Sequence, residues 1–212
     1  MKRVLLILVL ACASFAAKAQ QTFSAGLLAG LNTCQIHGDS YWGWNQVGAL
    51  GGMFLSIRPQ QKAYFQMELQ YSRKGSRKIA RPDKGDLDFF ELRMHYIEVP
   101  LLVRYQTKKI YYQLGASGGV LFRVREWDDF GEVEPRDFRP YEVAWILGAG
   151  YKFNERLAID VRSSNSFFPV KKADVPIVYP RFYQNIFNKG MYHNLLSFSL
   201  TWRFMSSASD SQ

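Results

Sequence analysis

Tyr96-Ile97-Glu98-Val99-Pro100-Leu101-Leu102-Val103-Arg104-Tyr105 decides what kind of fold this chain adopts. Ile97, Val99, Leu101, Val103 and Tyr105 share one parity; Glu98 and Arg104 share the other. A period of two marks a strand with one apolar and one polar face. The same separation recurs on both sides of this stretch. Uncharged parities run through 23–34 (Phe23, Leu27, Leu31), 47–57 (Val47, Met53, Leu55), 64–72 (Phe65, Met67, Leu69, Tyr71) and 110–123 (Tyr112, Leu114, Val120, Phe122). They continue through 141–153 (Val143, Trp145, Leu147, Tyr151), 156–164 (Leu157, Ile159, Val161) and 193–204 (Leu196, Phe198, Leu200, Trp202). The opposite parity holds Arg58, Glu68, Glu98, Arg104, Arg123, Glu142, Lys152, Asp160, Arg162 and Arg203.

The connections alternate in length. Short turns fall at 59–61, at Thr107-Lys108-Lys109 and at Asn154-Glu155, the last a two-residue hairpin signal. The connections after the first, third, fifth and seventh segments are long. Even strand number, short turns on one side and long loops on the other are the pattern of bacterial outer-membrane barrels. We expect an all-β fold, an eight-stranded antiparallel up-and-down transmembrane β-barrel with both termini on the periplasmic side. A hairpin hidden between Phe167 and Tyr192 would raise the count to ten. Pro100 cannot donate to the ladder and predicts a bulge. Aromatic girdles are expected at the interfaces: Phe65, Tyr105, Tyr112, Phe153 and Phe204 on the periplasmic side, and Tyr71, Tyr96, Phe122 and Tyr141 on the outer side.

The first residues set the compartment. Met1-Lys2-Arg3, an apolar run from Val4 to Ala17 and the small-x-small site Ala17-Lys18-Ala19 make residues 1–19 a secretory signal. The barrel domain is then 20–204, followed by a short polar tail, 205–212. A rival reading lipidates Cys12, because Val9-Leu10-Ala11-Cys12 loosely resembles a lipoprotein processing site. Cys34 is otherwise the mature chain's one thiol and makes no internal disulfide. The formal charge of +9 falls to +6 when Lys2, Arg3 and Lys18 are lost. For an exported barrel this points to outer-membrane lipids and lipopolysaccharide as partners rather than nucleic acid.

Eight strands enclose a space that side chains fill. Glu68, Glu98, Arg104, Arg123, Glu142, Lys152, Asp160, Arg162 and Arg203 are therefore expected to pair across the lumen as a structural charge network.

Tyr96-Ile97-Glu98-Val99-Pro100-Leu101-Leu102, followed by Leu114-Gly115-Ala116-Ser117-Gly118-Gly119 and preceded by Leu69-Gln70-Tyr71-Ser72-Arg73-Lys74-Gly75, resembles the PorT-like outer-membrane β-barrel family of Bacteroidota. The resemblance covers nearly the whole mature chain. It implies an eight-stranded barrel in the outer membrane of a Gram-negative bacterium after signal cleavage. It transfers no catalytic residue, and one member's secretion role suggests an accessory function.

Other candidates lie toward the outer rim. His37, with Asp39 and Ser40 beside it, His95 and His193 could supply a base for lipid chemistry, or be solvated loop residues. An acidic loop (Glu126, Asp128, Asp129, Glu132, Glu134, Asp137) could hold calcium or be a solvated charge run, and it lacks a spaced calcium-ligand pattern. A basic loop (Arg73, Lys74, Arg77, Lys78, Arg81, Lys84) could meet lipopolysaccharide phosphates or pair with the acidic one. Tyr41, Trp42, Trp44, Phe167, Phe168 and Tyr183 could contact a ligand or other envelope proteins, or pack the loops onto the barrel mouth. No catalytic, metal or cofactor motif is present. The expected role is non-enzymatic: envelope structure, adhesion or an accessory of a larger envelope or secretion complex. The alternatives are a small channel or hydrophobic-ligand uptake barrel, a rim lipid-modifying enzyme, and a soluble periplasmic barrel with its apolar parity turned inward.

Overall fold

A computed structural model describes residues 22–37, 46–58, 62–78, 83, 85, 88–134, 137–172 and 190–206. Ten strands occur among them: β1 (Thr22–His37), β2 (Gln46–Arg58), β3 (Ala63–Lys78), β4 (Phe90–Thr107), β5 (Ile110–Asp128), β6 (Gly131–Val133), β7 (Tyr141–Lys152), β8 (Leu157–Ser166), β9 (Lys171–Lys172) and β10 (Gly190–Ser206). Eight close a ring in the order β1-β2-β3-β4-β5-β7-β8-β10, and β10 returns to β1. All pairings are antiparallel, so no strand of the ring is left with an open edge. β6 folds back on the end of β5, and the two residues of β9 pair with Gly190 and Met191 of β10. Neither widens the ring. The expected signal segment 1–19 and Cys12 lie outside the described residues.

The apolar parity faces outward. Leu27, Met53, Met67, Leu101, Leu114, Leu147 and Leu200 are exposed, while Glu68, Glu98, Arg104, Glu142, Asp160 and Arg162 are buried. A soluble protein does not present so large a continuous apolar belt to water. The arrangement with the greasy side inside is thereby excluded. Phe65, Tyr105, Tyr112, Phe153 and Phe204 stand exposed at one end of the belt, and Phe122 and Tyr141 at the other. Tyr96 does not join them. It is fully buried inside the barrel, as its shared parity with Glu98 requires.

Pro100 makes no bulge. The β3–β4 register is the same on both sides of it, Met67↔Leu101 and Gln70↔Glu98, with the ladder simply open between. The register shifts elsewhere: between His95 and Tyr96 opposite β5, and between Ala25 and Gly26 opposite β10. The first shift leaves Phe122 and Arg123 both exposed and turns Leu121 and Val124 inward. The second lets β10 continue past Phe204 to Ser206, two residues into the expected tail.

β3, β4 and β5 are longer than expected. Residues 73–78 pair with 90–95, and these with 123–127, beyond the levels where β2 and β7 end their pairing at Leu50↔Ser72 and Val120↔Tyr141. On this extension the polarity of β4 and β5 inverts. Leu92, Met94 and Tyr96 form an interior apolar cluster with Val170, packed by Phe90, Leu121, Val124 and Phe138. Arg93, His95, Arg123 and Arg125 take the outer face. Water surrounds the strands here, so the apolar side turns in. Phe138 and Val170 come from segments joined by the Phe138↔Lys171 bridge and by Arg139 N donating to Val170 O at 2.8 Å. Together they close the outer mouth.

Inward glycines make space for large rings. A Cβ on Gly150 would stand 2.2 Å from Tyr111 Cζ. Tyr111 cannot swing away, because Arg104 lies over its ring at 4.9 Å and the ring is wholly buried. Gly150→Ala is expected to lower stability by about 1–3 kcal/mol through overpacking, read as an earlier urea midpoint for loss of the heat-modifiable band. An unchanged midpoint would mean Tyr111 is free to move.

Candidate functional site

The interior is organised in three polar layers. The middle layer begins at Glu68 on β3. Arg162 on β8 donates to it with both terminal nitrogens, Nη1 to Oε2 at 2.7 Å and Nη2 to Oε1 at 2.8 Å. β3 and β8 stand opposite each other in the ring of eight, so this fork crosses the lumen. Arg104 Nη2 reaches Glu68 Oε1 at 3.5 Å and Asp160 Oδ1 at 3.3 Å. Gln66 Nε2 donates to Glu68 Oε1 at 2.6 Å and Gln113 Nε2 to Asp160 Oδ1 at 2.8 Å. Two carboxylates face two guanidiniums, so the layer is electrically balanced, and each carboxylate also receives an amide. Buried charges persist only when matched in this way.

The outer layer centres on Lys74, whose Nζ lies 2.6 Å from Glu98 Oε1 and 3.0 Å from Glu142 Oε2. Gln70 Nε2 donates to Glu98 Oε2 at 3.1 Å, and His193 Nδ1 lies 3.1 Å from Glu142 Oε2. The Tyr96 ring meets His193 edge-on at 5.8 Å and lies beneath Lys74 Nζ at 5.0 Å. The apolar cluster sits above this layer.

The periplasmic layer gathers Arg58, Lys152 and Arg104 around the Tyr64 ring, at 5.3, 5.6 and 5.9 Å. Arg58 Nη2 donates to Gln106 Oε1 at 3.2 Å, and Lys152 Nζ donates to the same oxygen. Arg203 Nη1 donates to the carbonyl of Glu155 at 3.3 Å.

A cavity of about 20 Å³ lies on each side of the middle layer. The periplasmic one is lined by Tyr64, Arg104, Tyr111, Lys152 and Arg203, the outer one by Asn32, Gln70, Ser117 and Arg162. Each has room for roughly one water molecule.

A ring of strands with this polarity is one half of the assignment. The family model for the outer membrane protein β-barrel domain matches residues 16–172, most of the chain, and is the other half. The chain belongs to the outer membrane protein β-barrel domain family. It is similar in fold to Neisserial surface protein A (NspA), at 12% identity over 88% of this chain and 100% of that one, with a TM-score of 0.50. Ail, the attachment invasion locus protein of Yersinia pestis, solved with the heparin analogue sucrose octasulfate, aligns at 12% identity over 86% of this chain and 99% of that one, with a TM-score of 0.48. No curated protein matches the chain.

Within this outer membrane protein β-barrel domain, Glu68, Glu98, Arg104, Glu142, Asp160 and Arg162 meet in the outer and middle layers, and Lys152 and Arg203 line the periplasmic one. Arg123 is excluded from the network, because the register shift opposite His95 turns it outward. Lys74, His193, Tyr64 and Tyr111 belong to the interior without having been singled out as such. Their parity with Glu68, Arg203 and Gln113 carried the signal. His193 is thus not a solvated rim residue but 1% exposed, and His95 is bonded to Tyr71 Oη at 2.7 Å through Nδ1. His37's side chain lies outside the described residues, as do Asp39 and Ser40.

The expected basic loop is strand through Lys78, and Arg81 and Lys84 lie outside the described residues. Lys74 turns inward, and Lys78 Nζ bonds Asp88 Oδ2 at 2.9 Å. The acidic stretch begins within β5 and β6, where Arg125 Nε lies 3.8 Å from Glu132 Oε1. Among the described residues no group of three or more His, Cys, Asp or Glu gathers as a metal site. Phe167 and Phe168 are exposed, and the packing of the mouth falls to Phe138 and Val170. Tyr41, Trp42, Trp44 and Tyr183 lie outside the described residues.

Proposed function

We propose that this outer-membrane barrel is a non-enzymatic, non-conducting anchor. It serves envelope structure or adhesion, or acts as an accessory of a larger envelope or secretion complex. The observation that carries this reading is the filled bore. Glu68, Arg104, Asp160 and Arg162 span it with side chains at most 4% exposed, and the Leu92–Met94–Tyr96–Val170 cluster stops its outer end. An ion following the axis would have to part a two-nitrogen guanidinium fork and then an apolar plug. Among the described residues, the outer extension of β3–β6 is available to partners, with Phe130 almost wholly exposed at its tip.

Two observations support a non-enzymatic role. His193 is enclosed against Glu142, and His95 is bonded to Tyr71 on the outer face. The Tyr96–Leu102 motif supports placement among PorT-like proteins of Bacteroidota, and with it the accessory reading.

Planar-bilayer recording tests the closed bore. The full-length mature protein, inserted at saturating density, is expected to leave the conductance at the lipid baseline. Discrete, reproducible steps would favour the channel or uptake barrel and end the anchor reading.

A further inference from the structure

The outer face of β3, β4 and β5 carries four arginines on two successive rungs. Arg73, His95 and Arg123 stand side by side on one; Arg93 and Arg125 are neighbours on the next, with Gly75 completing it. Neighbouring strands lie about 4.8 Å apart and same-face residues about 6.8 Å apart along a strand, so the four guanidiniums originate within an area of roughly 10 by 7 Å. All four charges act on His95. Like charges directly opposite one another destabilise a sheet. Arg93 is held by Glu91 at 2.7 and 2.8 Å, and Arg125 lies 3.8 Å from Glu132. Among the described residues neither Arg73 nor Arg123 forms a salt bridge; Arg73 Nη2 donates to the carbonyl of Val47.

The height of this cluster is set by what lies next to it. The rings of Tyr71, His95 and Phe122 gather at 6.0–6.3 Å from one another on the same face, and the exposed Ile97 and Val120 follow below. Aromatic rings mark the membrane interface, so the arginines stand where outer-leaflet headgroups begin. The residue types are sorted as well. Lys74 and Lys78, from the same strand, are committed to carboxylates, while arginine, whose planar fork matches two phosphate oxygens at once, takes the outer face.

We propose that Arg73, Arg93, Arg123 and Arg125 form a binding site for the phosphates of lipopolysaccharide in the outer leaflet. The site grips a headgroup from the side of the barrel, with Tyr71 and Phe122 against the start of its acyl chains. This assignment is independent of whether the bore conducts.

The test uses the full-length mature barrel in detergent micelles and native mass spectrometry. The probes are bisphosphorylated lipid A, its phosphate-free counterpart, and inorganic phosphate as competitor. The wild-type protein is expected to retain bisphosphorylated lipid A and to release it as ionic strength rises. The R73Q/R123Q/R125Q variant, with its heat-modifiable migration intact, is expected to retain about tenfold less. Should that variant fail to assemble, R123Q alone carries the test, since Arg123 is exposed and in no salt bridge among the described residues; a drop of about threefold is expected. Equal retention by the assembled variant, equal retention of the phosphate-free lipid, or displacement by equimolar inorganic phosphate would each overturn the proposal.

Discussion

Glu68→Ala is expected to cost about 3–5 kcal/mol of folding stability, the penalty for stripping one partner from a buried ion pair. Glu68 alone receives both terminal nitrogens of Arg162, one nitrogen of Arg104 and the amide of Gln66. Removing its carboxylate leaves Asp160 to face two guanidiniums in an interior with almost no space for solvent. The measurement is the urea midpoint for folding into lipid vesicles, followed by heat-modifiable migration. A paired variant separates charge from shape: Glu68→Leu with Arg162→Met removes both members, and replacing both by apolar groups is close to neutral in comparable cases. The paired variant should therefore recover much of the loss. If Glu68→Ala left the midpoint where it was, the middle layer would not brace the barrel.

Leu147→Arg is expected to cost about 2–4 kcal/mol, the depth-dependent penalty for a cation at the bilayer midplane. Leu147 is 54% exposed on β7, midway between Tyr141 at the outer end and Phe153 at the periplasmic end. Its neighbour across the ladder, Leu114, faces the same way. Tyr141→Arg, made at the interface of the same strand, should cost no more than about 1 kcal/mol. The contrast between the two positions is the informative result. Equal tolerance at 147 and 141 would show that hydrocarbon does not surround β7.

The parity of charged residues made the barrel readable, because lipid outside and charge inside impose one rule on every membrane-embedded strand. The same rule explains the misplacements. Arg123 keeps the inward parity of Gly119 by simple counting, but the extra residue opposite His95 reverses the count. No residue type announces that shift, whereas Pro100, which does announce itself, merely opens the ladder in place. The segments 73–78 and 90–95 looked like loop because they lack an outward apolar parity. Above the membrane no such parity is needed, and Leu92 and Met94 give the compensating inward one. Lys74 is legible by parity once its strand is extended past Ser72, and His193, the first residue of the expected last strand, by parity alone. Their partners Glu98 and Glu142 come from β4 and β7, and no spacing in the chain states which strands meet across a lumen.

The change of polarity at the level of Tyr96 also fixes how deep the molecule floats. Sinking by one rung would drag Arg73 and Arg123 into oil; rising by one would wet Ile97 and Val120. Either displacement is opposed, so the barrel carries its own waterline and needs no tether to hold its draught.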